Sequence, residues 1–358
     1  MRPTIAIGPL FRCIIIAFMA LSAGPGHAQV TAPTGGGAKK PICGLVTMGL
    51  IGKLLDGRPV DNLAEINAHP GVYAAAVLNY SWRQLEPAPG QFDFAAIDAD
   101  LVGLRAYNAA HPDRPVAAKL RVTGGILAPA WVEQSAGTVT LNLKSHSVVI
   151  GRFWTPVYRQ DWRALQTALA AAYDNNPLLR EVAISSCATV TDEPFNLPHG
   201  PLNDAQLQAA GFTDAADQAC LTGALDDYAA WHATALDYTF NPFVDTQDGH
   251  PRPDPAFTTG LMEAFRARFG ARAVLANHGL EASVTPRQAD IYAELAQLGP
   301  PIAFQTFSPK QDFDATWRNG VAYHPTEFEM WVTKEAGGAA TASAAMLQDW
   351  ASELPCGR

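Results

Sequence analysis

Two acidic clusters hold the side chains best suited to act together: Asp192 and Glu193, adjacent in a loop-like stretch, and Glu327 and Glu329, two residues apart in an apolar run. Neighbouring carboxylates raise one another's proton affinity, so Glu193 beside Asp192 suits a group that keeps a proton near neutrality. Residues two apart in a strand share a face, so Glu327 and Glu329 point the same way. A proton-holding carboxyl and an ionised one are the minimum machinery for cleaving a glycosidic bond: the first protonates the leaving oxygen and the second acts at the carbon. The groups that could bind sugar hydroxyls are Arg121, Asn241, His278 and Gln305, while Trp82, Trp131 and Trp154 could stack on a pyranose ring. Each also has a plain structural role open to it: the tryptophans as core, Arg121 and His278 as partners of a buried acid, and the glutamates as loop or cap residues.

These residues acquire a common address from the elements around them. Strand-like apolar runs occur near 44–49, 72–80, 116–122, 181–186, 236–240, 273–276, 302–307 and 320–329. Helical periodicity separates them at 95–110, 159–173, 221–234, 257–269, 285–298 and 339–354. Alternating strands and helices imply a parallel sheet with outer helices, and eight such strands close a (β/α)8 TIM barrel. The candidate residues fall at the carboxyl ends of the strands, where the loops of a barrel build its mouth. One barrel spanning 41–358 accounts for the chain, and no second domain or internal repeat is apparent.

The segment Trp82-Arg83-Gln84-Leu85-Glu86-Pro87-Ala88-Pro89-Gly90-Gln91-Phe92-Asp93-Phe94, followed by Asp98, has the spacing W-x-x-x-E-P-x-x-G-x-F-x-F. It resembles the segment after the second strand in many clan A glycoside hydrolases, the (β/α)8 enzymes that include several β-galactosidases and xylanases. That resemblance implies an acid in an Asn-Glu pair after the fourth strand. Glu193 matches it by position and type, although Asp192 replaces the Asn. It also implies a nucleophilic Glu at the end of the seventh strand, where this chain has Gln305, and an amide cannot form a glycosyl ester. The second carboxylate then falls to the last strand. Glu329 is favoured over Glu327 there, because E-x-W resembles a motif of clan A-like bacterial barrels. The expected function is a glycoside hydrolase acting on a poly- or oligosaccharide, with no metal or organic cofactor required. The alternative is a glycan-binding barrel that has lost its chemistry, with Gln305 as its best support. A serine hydrolase or metal-dependent deacetylase has little support, since G-x-S-x-G and clustered His/Asp ligands are lacking.

Residues 1–28 read as a signal peptide: Arg2 and Arg12 precede an apolar run from Cys13, and Gly26-His27-Ala28 provides a cleavage site. The protein is expected to be secreted or periplasmic, with 29–40 a flexible leader. Cleavage would leave the chain two charges more negative than its formal −9, which argues against nucleic acid and anionic membranes as partners. No other segment reads as a membrane span, and a monomer is expected. Cys43, Cys187, Cys220 and Cys356 would remain, an even number that suggests disulfides with three pairings possible. Joining Cys43 to Cys356 would tie the start of the first strand to the end of the last helix, two places that meet in a closed barrel. Cys187 with Cys220 would then close the loop after the fourth strand.

Overall fold

A computed structural model describes residues 37–49, 62–246 and 251–356. The expected signal peptide and most of the leader lie outside the described residues. Eight parallel strands close a barrel: β1 (Gly44–Met48), β2 (Tyr73–Ser81), β3 (Ala117–Thr123), β6 (Leu179–Ile184), β7 (Ala235–Thr239), β10 (Ala273–Leu280), β11 (Ile302–Thr306) and β12 (Glu327–Trp331). They are neighbours in chain order, and β12 returns to pair with β1. Two antiparallel hairpins not foreseen from sequence interrupt the series, β4 (Thr138–Asn142) with β5 (Ser147–Gly151) and β8 (Phe243–Asp245) with β9 (Arg252–Asp254).

The two faces of the strands follow the two-residue period. One face joins the main apolar core, which includes Leu45, Leu78 and Phe328; Phe328 packs against the helix residue Trp317, which stacks on Trp350. The other face forms small separate clusters, Val46, Met48, Ala75 and Val77 on one side and Ala235, Val274, Ala276 and Ala303 on the other. Barrel interiors are normally filled by bulky branched side chains. Alanines at these positions leave volume, and long charged side chains fill it: Lys119, Arg121, Glu181, Asp237, Glu327 and Glu329 are all buried.

The chain also closes the amino end of the barrel. The Lys39 ammonium donates to the carbonyls of Asn176 and Leu179, both at 2.8 Å, and to the Thr234 hydroxyl at 2.9 Å. The Ile42 amide donates to Glu181 at 2.7 Å. Lys39 therefore already belongs to the fold, although the sequence placed it in the leader. Both suggested disulfides are present, Cys43–Cys356 and Cys187–Cys220.

Of the element boundaries that differ from expectation, two have a clear physical reason. Gly320 and Val321 end the helix Phe313–Val321 rather than begin a strand, because Phe313, Trp317 and Gly320 form its buried face, against Phe328 and Trp350. The helix expected over 221–234 runs Asp214–Asp227 instead, where Thr213 caps its first turn by accepting from the Ala216 amide. None of the described helices is long and apolar enough to cross a membrane.

Candidate active site

Lys119, on β3, sits at the centre of the barrel's charged interior. Its ammonium contacts Asp237, Glu327, Glu329 at 3.0 Å and Glu181 at 3.2 Å. Burial alone would drive the proton off Lys119, but four surrounding carboxylates outweigh it and keep the group firmly protonated. Glu181, Asp237 and Glu327 come close enough together to hold a cation, and the Lys119 ammonium already makes contact with all three. Burial, aided by Glu181, pushes the Glu327 carboxyl well above its usual range, against the pull of Lys119. Asp237 is raised to about 6 by burial, working against Lys119.

One strand period further along β12, Glu329 is in a different electrostatic setting. Arg121 Nη2 lies 2.6 Å from both of its oxygens, and both side chains are buried. Burial pushes this carboxyl upward, yet Arg121 and Lys119 together hold it well below the usual carboxylate range. Glu329 is therefore an ionised carboxylate inside the barrel. Gln305 is its register partner on β11, so the last strand places a carboxylate beside the position where the preceding strand has only an amide.

Glu193 approaches from the long loop after β6, and several contacts fix that loop. Cys187–Cys220 staples it to the helix Asp214–Asp227, the Thr189 hydroxyl donates to the Asn196 carbonyl at 2.8 Å, and the Ile126 amide donates to the Thr189 carbonyl at 2.9 Å. Gly125 permits that last approach: it has φ +52°, and a Cβ there would fall 1.9 Å from the Thr189 oxygen. Disulfide closure of a loop this size contributes about 3 to 4 kcal/mol in the chain-entropy picture. Asp192 meets Arg121 Nε at 3.0 Å, and its neighbour Glu193 accepts from Asn241 Nδ2 at 2.6 Å. Glu193 keeps an opening to solvent but is crowded by protein. Burial and then the Asp192 charge raise it to about 7, against the pull of Asn241 and Arg121.

Glu193 lines a cleft of about 370 Å³ together with Asn241, His278, Arg287, Gln288 and Phe307. His278 shares a hydrogen bond with Thr239 through Nε2, at 3.1 Å, and its Nδ1 stands 3.9 Å from Asp192 with no hydrogen-bond partner among the described residues. Burial lowers His278 to about 4, so the ring is neutral and can either donate to or accept from a ligand. Arg121, Asp192, Glu193, Asn241, His278 and Glu329 are thus connected in space. Glu327 is held by Lys119, whose ammonium also contacts Glu329.

The tryptophans lie elsewhere. Trp82 is fully buried, packs edge-on against Trp131, Tyr158 and Trp162, and donates to Glu86 at 2.8 Å. Glu86 also accepts from the Gly90 amide at 2.9 Å, and Phe92 stacks on Phe94. The Trp-Glu-Gly-Phe segment thus closes a βα loop on itself. Trp131 donates to the Glu86 carbonyl, and Trp154 packs against Phe153 and Phe212. None of the three lines the cleft. The aromatic side chain that does so while largely exposed is Phe307, at 63%. Sequence reading missed it because a phenylalanine just past an apolar strand looks like core.

No family model matches the chain, and no curated protein matches it. Among solved structures it is similar to a β-galactosidase from Bacillus circulans sp. alkalophilus, with 10% identity over 88% of this chain and 56% of that one and a TM-score of 0.52. The shared property is the fold. Other similar structures are endo-glycoceramidase II from Rhodococcus sp. in a cellobiose-like imidazole complex and an endogalactoceramidase. The first has 14% identity, 87% and 81% coverage and a TM-score of 0.49; the second has 15%, 82% and 70%, and 0.47. Together with the closed parallel barrel, the galactosidase likeness gives this chain the architecture expected from its Trp82–Phe94 segment.

Proposed function

We propose that the protein is a glycoside hydrolase in which Glu193 is the general acid and Glu329 the second carboxylate. The observation that supports this most strongly is the opposite bias on the two groups: one is raised to about 7 and the other held ionised, with Arg121 and Asp192 linking them. Carboxyl groups whose environments push their proton affinities apart divide naturally into acid and base. In the reaction, the bond from the anomeric carbon to the leaving oxygen breaks, its electron pair stays on that oxygen, and Glu193 supplies the proton. Glu329 then either adds to the anomeric carbon or takes a proton from the water that does. Asn241, His278 and Gln288 offer amide and imidazole groups to sugar hydroxyls, and Phe307 offers a ring face. The substrate class is an oligo- or polysaccharide or another glycoside, as the galactosidase of the same fold suggests. Two disulfides are compatible with an exported protein.

A second reading has its own observation. Glu329 is only 1% exposed with both oxygens held by Arg121, and β11 offers Gln305, which favours a barrel that binds glycans without cutting them. Screening the chain against plant and bacterial polysaccharides, with Glu193→Gln and Glu329→Gln alongside, separates the two. Cleavage by the parent that both variants lose while still binding supports the hydrolase, and binding without cleavage by the parent supports the second reading.

A further inference from the structure

We propose that Gln288, with Asn277 behind it, is a positioning residue that sets which end of the Asn241 amide faces Glu193. This rests on the role given above to Glu193. A side-chain amide has a donor end and an acceptor end of nearly the same shape, so something must choose between them. Here the choice can be traced to backbone groups, whose polarity is fixed.

The Gly279 N–H can only donate, and it donates to Asn277 Oδ1 at 3.1 Å. The Phe240 carbonyl can only accept, and it accepts from Asn277 Nδ2 at 2.8 Å. Tyr292 adds a donation to Asn277 Oδ1 at 3.1 Å, so the Asn277 amide has one satisfied orientation. Its Nδ2 also donates to Gln288 Oε1 at 3.4 Å, which turns Gln288 Nε2 toward Asn241 Oδ1, again at 3.4 Å. With its oxygen occupied, Asn241 presents its NH2 group to Glu193 Oε2 at 2.6 Å. The polarity of two backbone groups is thus carried through three amides to the acid.

The orientation matters chemically. A donor on Oε2 leaves Oε1 as the oxygen that carries the transferable proton, and it stabilises the carboxylate that remains once the proton has gone. A reversed Asn241 would place its carbonyl there, accept the acid's own proton and hold it away from the substrate. The backbone makes room for the chain of amides: a Cβ at Gly279 would lie 2.8 Å from Gln288 Nε2.

The test follows the Glu193 carboxyl by NMR in protein labelled with 13C at glutamate side-chain carboxyls, its signal assigned by its loss in Glu193→Gln. The other groups acting on Glu193, namely Asp192, Arg121 and Glu329, and the rim residues Glu281 and Arg287, are the same in every variant. Gln288→Ala is expected to raise the Glu193 titration midpoint by roughly 0.5, a fraction of one hydrogen bond's worth. Gly279→Ala, which pushes Gln288 away without removing any polar group, is expected to move it the same way. In an Asn241→Ala background, Gln288→Ala is expected to have no further effect, because the intermediary is gone. The proposal is overturned if either single variant leaves the midpoint in place, or if Gln288→Ala moves it equally with Asn241 absent. No substrate is involved, so the result stands apart from whether the chain cleaves a glycoside.

Discussion

Replacing Arg121 by Met tests the charged interior directly. In the native protein its Nη2 lies 2.6 Å from both oxygens of Glu329, with the two side chains 2% and 1% exposed. Removing one partner of such a pair leaves a buried charge uncompensated, at a cost of about 3 to 5 kcal/mol. Lys119 remains 3.0 Å from Glu329, so the lower end, about 3 kcal/mol, is expected. That is a large share of the 5 to 15 kcal/mol typical of a domain. The loss must also depend on pH. Glu329 is depressed in the folded state, so its contribution is present above its unfolded pKa, about 4.3, and is lost as pH falls through the folded value. In Arg121→Met the depression is largely removed, and the difference between variant and parent should be greatest near pH 7 and smaller near pH 4. Urea denaturation at both pH values measures it. Arg121→Met/Glu329→Met should regain at least half of the lost stability, because apolar replacement of a buried pair is often neutral. The reasoning fails if Arg121→Met costs less than about 1 kcal/mol at pH 7, or if the cost is the same at both pH values.

Other outcomes follow from the loop that carries the acid. Asp192→Asn removes a charge that raises Glu193 and leaves Arg121 freer to stabilise its ionised form, so the basic limb of the pH profile of kcat/KM should move to lower pH. Cys187→Ser/Cys220→Ser releases the loop from the helix Asp214–Asp227. It should lower the thermal midpoint and reduce kcat/KM more than binding of the same glycan, as measured by calorimetry and kinetics.

How much of this was legible in the sequence depended on the physics involved. Strand and helix alternation reveals a barrel because the periods 2 and 3.6 are local properties, and the Cys43–Cys356 pairing followed once the barrel's ends were known to meet. The failures were tertiary. Gly320 and Val321 read as strand from their apolar neighbours, whereas Trp317 and Gly320 share a helical face that packs on Phe328. Trp82 read equally as platform or core, and only the ring of Trp131, Tyr158 and Trp162 around it decides for core. Glu181 and Asp237 drew no notice because an isolated acid in a short strand resembles a solvent-facing position. A signal was present nonetheless: Lys119-x-Arg121 and Glu327-x-Glu329 place charges at strand spacing, where the opposite face is apolar and helix-covered. Charges repeating on one face of a strand whose other face must be buried point to an ionic barrel interior. The amide chain behind Glu193 was out of reach, since Asn241, Asn277 and Gln288 are far apart in sequence and meet only through folding.

The leaving-group dependence of Glu193→Ala tests the role of Glu193 most directly. A nitrophenyl glycoside departs without protonation, while an unactivated disaccharide of the same sugar needs the acid. The expected result is a loss of about 10²- to 10⁴-fold in kcat/KM on the disaccharide and of less than about 10-fold on the nitrophenyl substrate. Equal losses on both substrates, or no loss on the disaccharide, would contradict Glu193 as the proton donor.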